Sequence, residues 1–485
     1  MREALARKTG SALIWRGLQQ VGVQAIYLCR TLVLARLLLP EDFGLVAIGA
    51  TTVGVAVSVT NLGMIPALVQ RQDAGEAHYD TAWTVGVVRA LVLTVGIAAF
   101  APLLAAAFEA PSATNVIRAL ALRPLLESLA SIRVAGLTKE MRFRALAMIR
   151  LPSALADIAL AVTLAGPLGV WAMVTGTLGG SLTVMVLSYV IAPHRPKPTI
   201  DRDAARSLIR FGQWIFVRGL LAVAANAAIQ VVISRTLGVA ALGLYSLAGK
   251  LAYLPYQVAT DVVGSVAFPV YARLQDDRRA VAEAFRGLLV GSACALVPVY
   301  GIIIVLAPDL VEHVLGPRWG GTAPIIQVLA LGGLLGLFEE TANPLVQGLG
   351  QPQKTVVAGA IETGLILVLV HPLAARFGAV GAAAAWLPAV ITSQLLFGYY
   401  VRNLVPKPYQ GLIRPLFAVL VASVAASGVA RWLSGTLPGA LGPLVGGSVA
   451  VLLAAGVLVL LDRRFDLGFA PAVWRIFPKL ERLLG

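Results

Sequence analysis

Fourteen apolar stretches, each about 20 residues long, run between Ser11 and Leu461, and the basic residues separating them fall almost entirely in alternate loops. A helix rises about 1.5 Å per residue, so each stretch is long enough to cross a hydrocarbon core of about 30 Å. The stretches are read as spans over 12–34, 43–66, 81–107, 115–137, 145–165, 168–192, 209–234, 242–268, 284–307, 322–347, 354–375, 378–401, 411–433 and 439–461. This pattern predicts an all-α polytopic membrane protein. With 58% hydrophobic and 13% charged residues and a mean hydropathy of +0.83, little chain is left for a soluble domain.

The distribution of charge sets the expected topology. Counting residues at the edge of a span with the adjoining loop, 25 of the 39 Lys and Arg lie at the N-terminus, in even-numbered loops or in the C-terminal tail. Odd-numbered loops hold 5 and spans hold 9. Basic residues accumulate on the cytoplasmic side, so both termini are expected inside. The net charge of +15 is therefore a topology signal, reinforced by anionic headgroups, and no nucleic-acid partner is expected. The first residues lack a short apolar core followed by a small-residue cleavage site, so they read as retained. Cys29 and Cys294 both fall within spans, which excludes a disulfide framework, and no metal-ligand spacing occurs.

An internal repeat divides the chain. The run LVLARLLLPEDFGL from Leu32 lies over VVISRTLGVAALGL from Val231, pairing Gly44 with Gly243. IPALVQRQ from Ile65 matches FPVYARLQ from Phe268, VIRALALRPLL from Val116 matches IIQVLALGGLL from Ile325, and Gly169 falls on Gly378. The offset covers six spans, an even number, so both halves keep the same orientation and should be related by an axis along the membrane normal. Expected boundaries are an N-lobe over 1–192, a Pro- and Arg-rich cytoplasmic linker over 193–208 and a C-lobe over 209–403. Two extra spans follow over 404–461, with a tail over 462–485 that could form an interfacial helix.

Ionisable groups inside spans are costly unless they face a partner or a wet cavity, and so they mark function. The first half holds Arg16, Arg30, Arg89, Arg118, Arg123, Arg133 and Arg150 against Glu127 and Asp157. In the second half Arg218 and Lys250 stand against Asp261, Glu339, Glu340 and Glu362. One half is cationic and the other anionic. Arg16, Arg118, Arg133 and Arg150 lie within about two turns of a span end and can snorkel to headgroups. Arg30, Arg89, Arg123, Arg218 and Lys250 sit deeper and are the candidate lining of an anion cavity, where guanidinium groups would grip phosphate. Arg123 and Glu127, four apart on one helix face, could instead neutralise each other. Asp157, Glu339 and Glu362 are candidate ion-coupling carboxyls, since burial disfavours their charged form. Pro124, Pro152, Pro255, Pro298, Pro344 and Pro388 interrupt spans and permit bending.

Several runs carry a resemblance. WRGLQQVGVQAIYLCRTLVLARLLLPEDFGLVAIG, LGMIPALVQRQD, DTAW, LTKEMRFRALAMI, GPLGVWAMVTG and LGLYSLAGKLAYLPYQV are similar to the polysaccharide transporter family. These are the Wzx-type flippases of the multidrug/oligosaccharidyl-lipid/polysaccharide superfamily. The resemblance implies two six-helix lobes in the bacterial inner membrane and alternating access. It also implies transfer of an undecaprenyl-pyrophosphate-linked oligosaccharide for O-antigen, exopolysaccharide or teichuronic-acid-type glycans. A central cationic cavity would hold the pyrophosphate, and Arg30, Arg218 and Lys250 are the matching positions. Implied partners are the lipid-linked oligosaccharide and membrane lipids, with a glycan polymerase and export machinery as further candidates. No cofactor or catalytic residue is expected, and coupling to protons or sodium stays open.

Two rivals are weighed. A drug or cation antiporter of the same superfamily would want acids in the first half, where only Asp157 is deep. A membrane glycosyltransferase or glycan polymerase commonly presents acidic metal ligands or a large outer loop. Glu41 and Asp42 match such ligands superficially, but a turn or helix start explains them.

Overall fold

The computed structural model describes residues 2–60, 64, 68, 75–140, 142–199 and 201–465, without the side chains of 2–18, 202–219, 258–259, 261–266, 268–269, 272 and 463–465. The described chain is helical, with no strand. Ten of its helices are long and apolar enough to cross a membrane, a measure on which the expected fourteen are not all reached. The tail beyond 465, where an interfacial helix was expected, lies outside the described residues. Residues 1–246 and 247–485 form two compact units.

The first unit contains α1 (Arg2–Leu37), α2 (Pro40–Val59), α3 (Glu76–Ala107), α4 (Thr114–Leu120), α5 (Leu122–Ser128) and α6 (Val134–Lys139). It continues with α7 (Phe143–Leu168), α8 (Val170–Ile191), α9 (Arg202–Leu237) and the start of α10 (Val239–Arg273). Lipid tails give helices no hydrophobic reason to associate, so close packing through small residues has to do it. On α8, a Cβ at Gly176 would come within 2.8 Å of Ala161 Cβ on α7, and one at Gly180 within 3.2 Å of Ser153 O. The expected start of the second half, α9, packs with this unit: Ser234 Oγ donates to Phe108 O at 2.7 Å, and Arg235 pairs with Glu109 at 3.0 Å.

The fourth expected span, 115–137, is corrected to three short helices, α4, α5 and α6. The first break, at Ala121, precedes Pro124, which has no amide proton for Leu120 O and whose ring crowds that carbonyl. The second break is held by α8. Ser131 N donates to Ser188 Oγ at 2.8 Å, Ser131 Oγ to Ala192 O at 2.6 Å, and Tyr189 Oη to Leu129 O at 3.0 Å.

Between α8 and α9 the chain runs without regular structure over residues 193–199, laid against the start of α3. Asp80 Oδ1 accepts from the Lys197 amide at 3.2 Å and stands 3.2 Å from His194 Nε2, while Thr81 Oγ1 accepts from the Asp201 amide at 3.0 Å. The DTAW run is thus a dock for this segment.

The second unit holds the rest of α10, then α11 (Arg278–Asp309), α12 (Thr322–Gly348), α13 (Pro352–Ala384), α14 (Trp386–Leu404), α15 (Ile413–Thr436) and α16 (Leu441–Phe465). Its core gathers Tyr271, Phe285, Leu345 and Phe397, all fully buried. The two extra helices α15 and α16 lie on α11. Gly301 faces Ser423 and Ser427, Gly446 faces Ala430 O, and Asp309 pairs with Arg431 and accepts from Ser434 Oγ at 2.6 Å. Gly169, between α7 and α8, and Gly378, within α13, share a left-handed backbone with φ of 53° and 64°. A side chain is strained there, so the repeat keeps glycine at both corners.

Candidate functional site

The first unit's arginines divide by what holds them. Arg118 donates to Ala98 O at 3.3 Å and to Asn115 Oδ1 at 3.2 Å, and Arg133 pairs with Glu76 while its guanidinium lies 4.7 Å from the Tyr79 ring centroid. Arg89, half-buried on α3, donates to Thr60 O at 3.2 Å at the end of α2.

Arg30 is buried on α1. Its Nε lies 2.8 Å from Asp157 Oδ1 on α7, and its Nη2 donates to Met173 O at 3.2 Å and Thr177 Oγ1 at 3.4 Å on α8. Three helices therefore meet at one ion pair, whose side chains are 10% and 6% exposed. Asp157, read from the sequence as a candidate coupling acid with no basic residue within a turn, has a cation supplied from α1.

One turn before Arg30, Tyr27 is exposed and feels the charges of Asp157, Arg123, Arg30 and Arg150. Arg123 is exposed on α5, bonded through Nε to Glu127 Oε1 at 2.8 Å, and shares electrostatic contact with Tyr27 and Asp157. Arg150 is exposed on α7, two turns before Asp157 and on the same face. Arg30, Arg123 and Arg150 thus all act on one tyrosine, with Arg30 paired to the buried Asp157 and Arg123 to Glu127. Such a patch suits an anion with several oxygens, because each guanidinium offers a fork of donors that stays charged.

Sequence reasoning missed Tyr27, although its spacing of three from Arg30 puts both on one helical face. It placed Arg150 among the snorkelling arginines, and its position two turns before Asp157 was the available signal. Arg218 lies on α9, but its side chain is outside the description, as is that of Arg16. Lys250 is exposed on α10 in the second unit.

The other candidate acids share that second unit. Glu339 on α12 accepts from Ser393 Oγ at 3.0 Å, and Glu362 on α13 accepts from Trp386 Nε1 at 3.2 Å. Both donors come from α14, and both carboxylates are half-buried. Trp386 rests on Gly332, and its ring centroid lies 5.3 Å from that of Tyr253 on α10. Among the described residues no group of three or more His, Cys, Asp or Glu could hold a metal ion.

Comparison with known proteins adds lineage to this geometry. A family model described as "Polysaccharide biosynthesis protein" matches residues 33–324. The chain is 26% identical over 464 residues to the succinoglycan biosynthesis transport protein ExoT of Rhizobium meliloti (strain 1021), covering 93% of this chain and 92% of the relative. It is 23% identical over 345 residues to the lipopolysaccharide biosynthesis protein WzxC of Escherichia coli (strain K12), with 70% of each covered. Among solved structures, lipid II flippase MurJ in an inward closed conformation superposes with a TM-score of 0.74 at 16% identity, covering 94% of this chain and 100% of that one.

Proposed function

The chain belongs to the polysaccharide biosynthesis protein family, and from that premise we propose that it flips a lipid-linked glycan unit across a bacterial cytoplasmic membrane by alternating access. It is a transporter and not an enzyme. The proposed carrier lipid is undecaprenyl pyrophosphate, and the proposed topology places both termini and the 193–206 linker in the cytoplasm.

The observation that carries this reading is the buried Arg30, held where α1, α7 and α8 meet, one turn from an exposed Tyr27 on which Arg123 and Arg150 also act. Three guanidinium groups against the two carboxylates of Asp157 and Glu127 leave an excess of positive charge, a poor fit to an organic cation and a good fit to pyrophosphate, whose contacts to charged donors are worth roughly 1.5–3 kcal/mol each. Arg89, Arg218 and Lys250 are proposed to extend the path. The names of the relatives support a glycan cargo.

The cargo's own charge supplies a driving force. A cytoplasm negative by 100 mV favours outward movement by about 2.3 kcal/mol for each negative charge carried. Glu339 and Glu362 are proposed as the groups through which a proton or sodium gradient adds to it.

The test is reconstitution in vesicles with a fluorescent lipid-linked pyrophosphate sugar, beside the same lipid carrying a neutral linkage. The expected result is flipping of the pyrophosphate lipid and little of the neutral one. Equal rates for both lipids, or no flipping above protein-free vesicles, would overturn the reading.

A further inference from the structure

Asp157 sits where it cannot retreat. It is 5% exposed, and α8 walls it in through two glycines. A Cβ built at Gly176 would lie 2.7 Å from Asp157 Oδ1, and one built at Gly180 would lie 3.1 Å from Asp157 Cβ. The carboxylate is therefore a fixed anion on a packed helix pair.

Arg30 is held differently. Its long side chain reaches over from α1, its Nε and Nη2 make the contacts to Asp157, Met173 and Thr177, and Nη1 takes no part in them. The bond to Thr177 is long at 3.4 Å. On the same face of α1, Tyr27 is exposed and lies in the field of Arg123 and Arg150 as well as of Arg30. A phosphate drawn to the exposed arginines thus comes up against a guanidinium already engaged with an internal carboxylate.

We propose that Asp157 is a built-in competitor for the cargo's phosphate, an affinity-setting residue that holds Arg30 until a substrate phosphate displaces it and takes it back to expel the cargo. This rests on the proposed function. A transporter gains nothing from holding its cargo tightly at every stage, since binding must be reversed on the far side. A site whose competent state is populated only part of the time binds more weakly by that fraction. Here the fraction is the share of time that Arg30 spends away from Asp157.

The role separates from its alternatives by experiment. Farnesyl pyrophosphate, which carries the same head on a short prenyl tail, serves as the binding probe for the purified full-length protein, with calorimetry as the readout. Flipping of the fluorescent pyrophosphate lipid gives turnover. Asp157→Asn keeps the shape and removes the charge, so affinity should rise by about tenfold while maximal flipping falls by a similar factor. Arg30→Gln combined with Asp157→Asn removes both charges and should abolish the tightening. Thr177→Val frees one hold on Arg30 without altering charge and should tighten binding by about threefold; it decides the matter should Asp157→Asn fail to fold. Unchanged or weaker affinity in folded Asp157→Asn, or, where that variant does not fold, in Thr177→Val, would overturn the competitor role. Loss of the response to a pH gradient at unchanged affinity would also overturn it, pointing to ion coupling through Asp157. No binding of the probe by wild type would instead overturn the pyrophosphate reading itself.

Discussion

Gly44 and Gly243 meet backbone to backbone, each facing the carbonyl of the residue four places before the other. A Cβ on Gly44 would overlap Val239 O; one on Gly243 would overlap Pro40 O and lie 3.1 Å from the Gly44 amide nitrogen. The contact is reciprocal, as a two-fold relation between like surfaces requires. The internal repeat pairs the same residues, Pro40 with Val239 and Gly44 with Gly243.

Filling that crossing should be costly. Gly243→Ala forces a methyl group into a backbone carbonyl, so α2 and α10 must move apart, at a cost of about 1–3 kcal/mol for an overpacked contact. Gly54→Ala is the control, because nothing lies within 4 Å of a Cβ there. Thermal unfolding in detergent should show a lowered midpoint for Gly243→Ala and an unchanged or raised one for Gly54→Ala.

The exposed arginines beside Tyr27 should matter more than Arg118, which is engaged by its own helix and by α3. Arg123→Ala or Arg150→Ala removes one contact to phosphate, which at roughly 1.5–3 kcal/mol corresponds to about 10- to 150-fold in affinity for the pyrophosphate lipid. Arg118→Ala, whose partners are Ala98 O and Asn115, should cost less than threefold, or about 0.6 kcal/mol. Equal losses in all three, measured as half-saturation in vesicles, would dissolve the distinction.

How much of this was legible depended on distance along the chain. The glycine corners at 169 and 378 could be aligned because one side chain type serves one backbone geometry. Arg123 with Glu127 was legible as neighbours on a helix turn. Arg30 with Asp157 was not: the pair joins α1 to α7 across more than a hundred residues of chain, and no local pattern encodes which cation comes to face that carboxylate. The fourth span misled for another reason. Apolar composition is blind to hydrogen bonding, and it took Pro124 and the bonds of Ser131 to cut one stretch into three helices.

The half-buried acids of the second unit supply a separate expectation. Glu339→Gln and Glu362→Gln keep an oxygen for Ser393 and Trp386, so the fold should hold. If these carboxyls carry the coupling ion, both variants should still flip the pyrophosphate lipid under a membrane potential. They should lose the added rate that wild type gains from a proton or sodium gradient. Gradient responses equal to wild type in both variants would leave these acids a purely structural role.

Docking of the segment between α8 and α9 is open to proteolysis. Asp80→Ala removes the acceptor for the Lys197 amide and the partner of His194. Proteinase K should then nick the chain between 193 and 201 at least tenfold faster than in wild type, which corresponds to about 1.4 kcal/mol of lost local protection. Equal nicking rates would mean that the segment's protection comes from elsewhere.

Those same bonds determine how force travels. Held at Ala192 by Ser131, at His194 and Lys197 by Asp80, and at Asp201 by Thr81, the connecting segment is tied at both ends and twice between them. It has no slack. A displacement of the start of α9 is therefore passed at once to the first turns of α3, in the manner of a tow line already drawn tight.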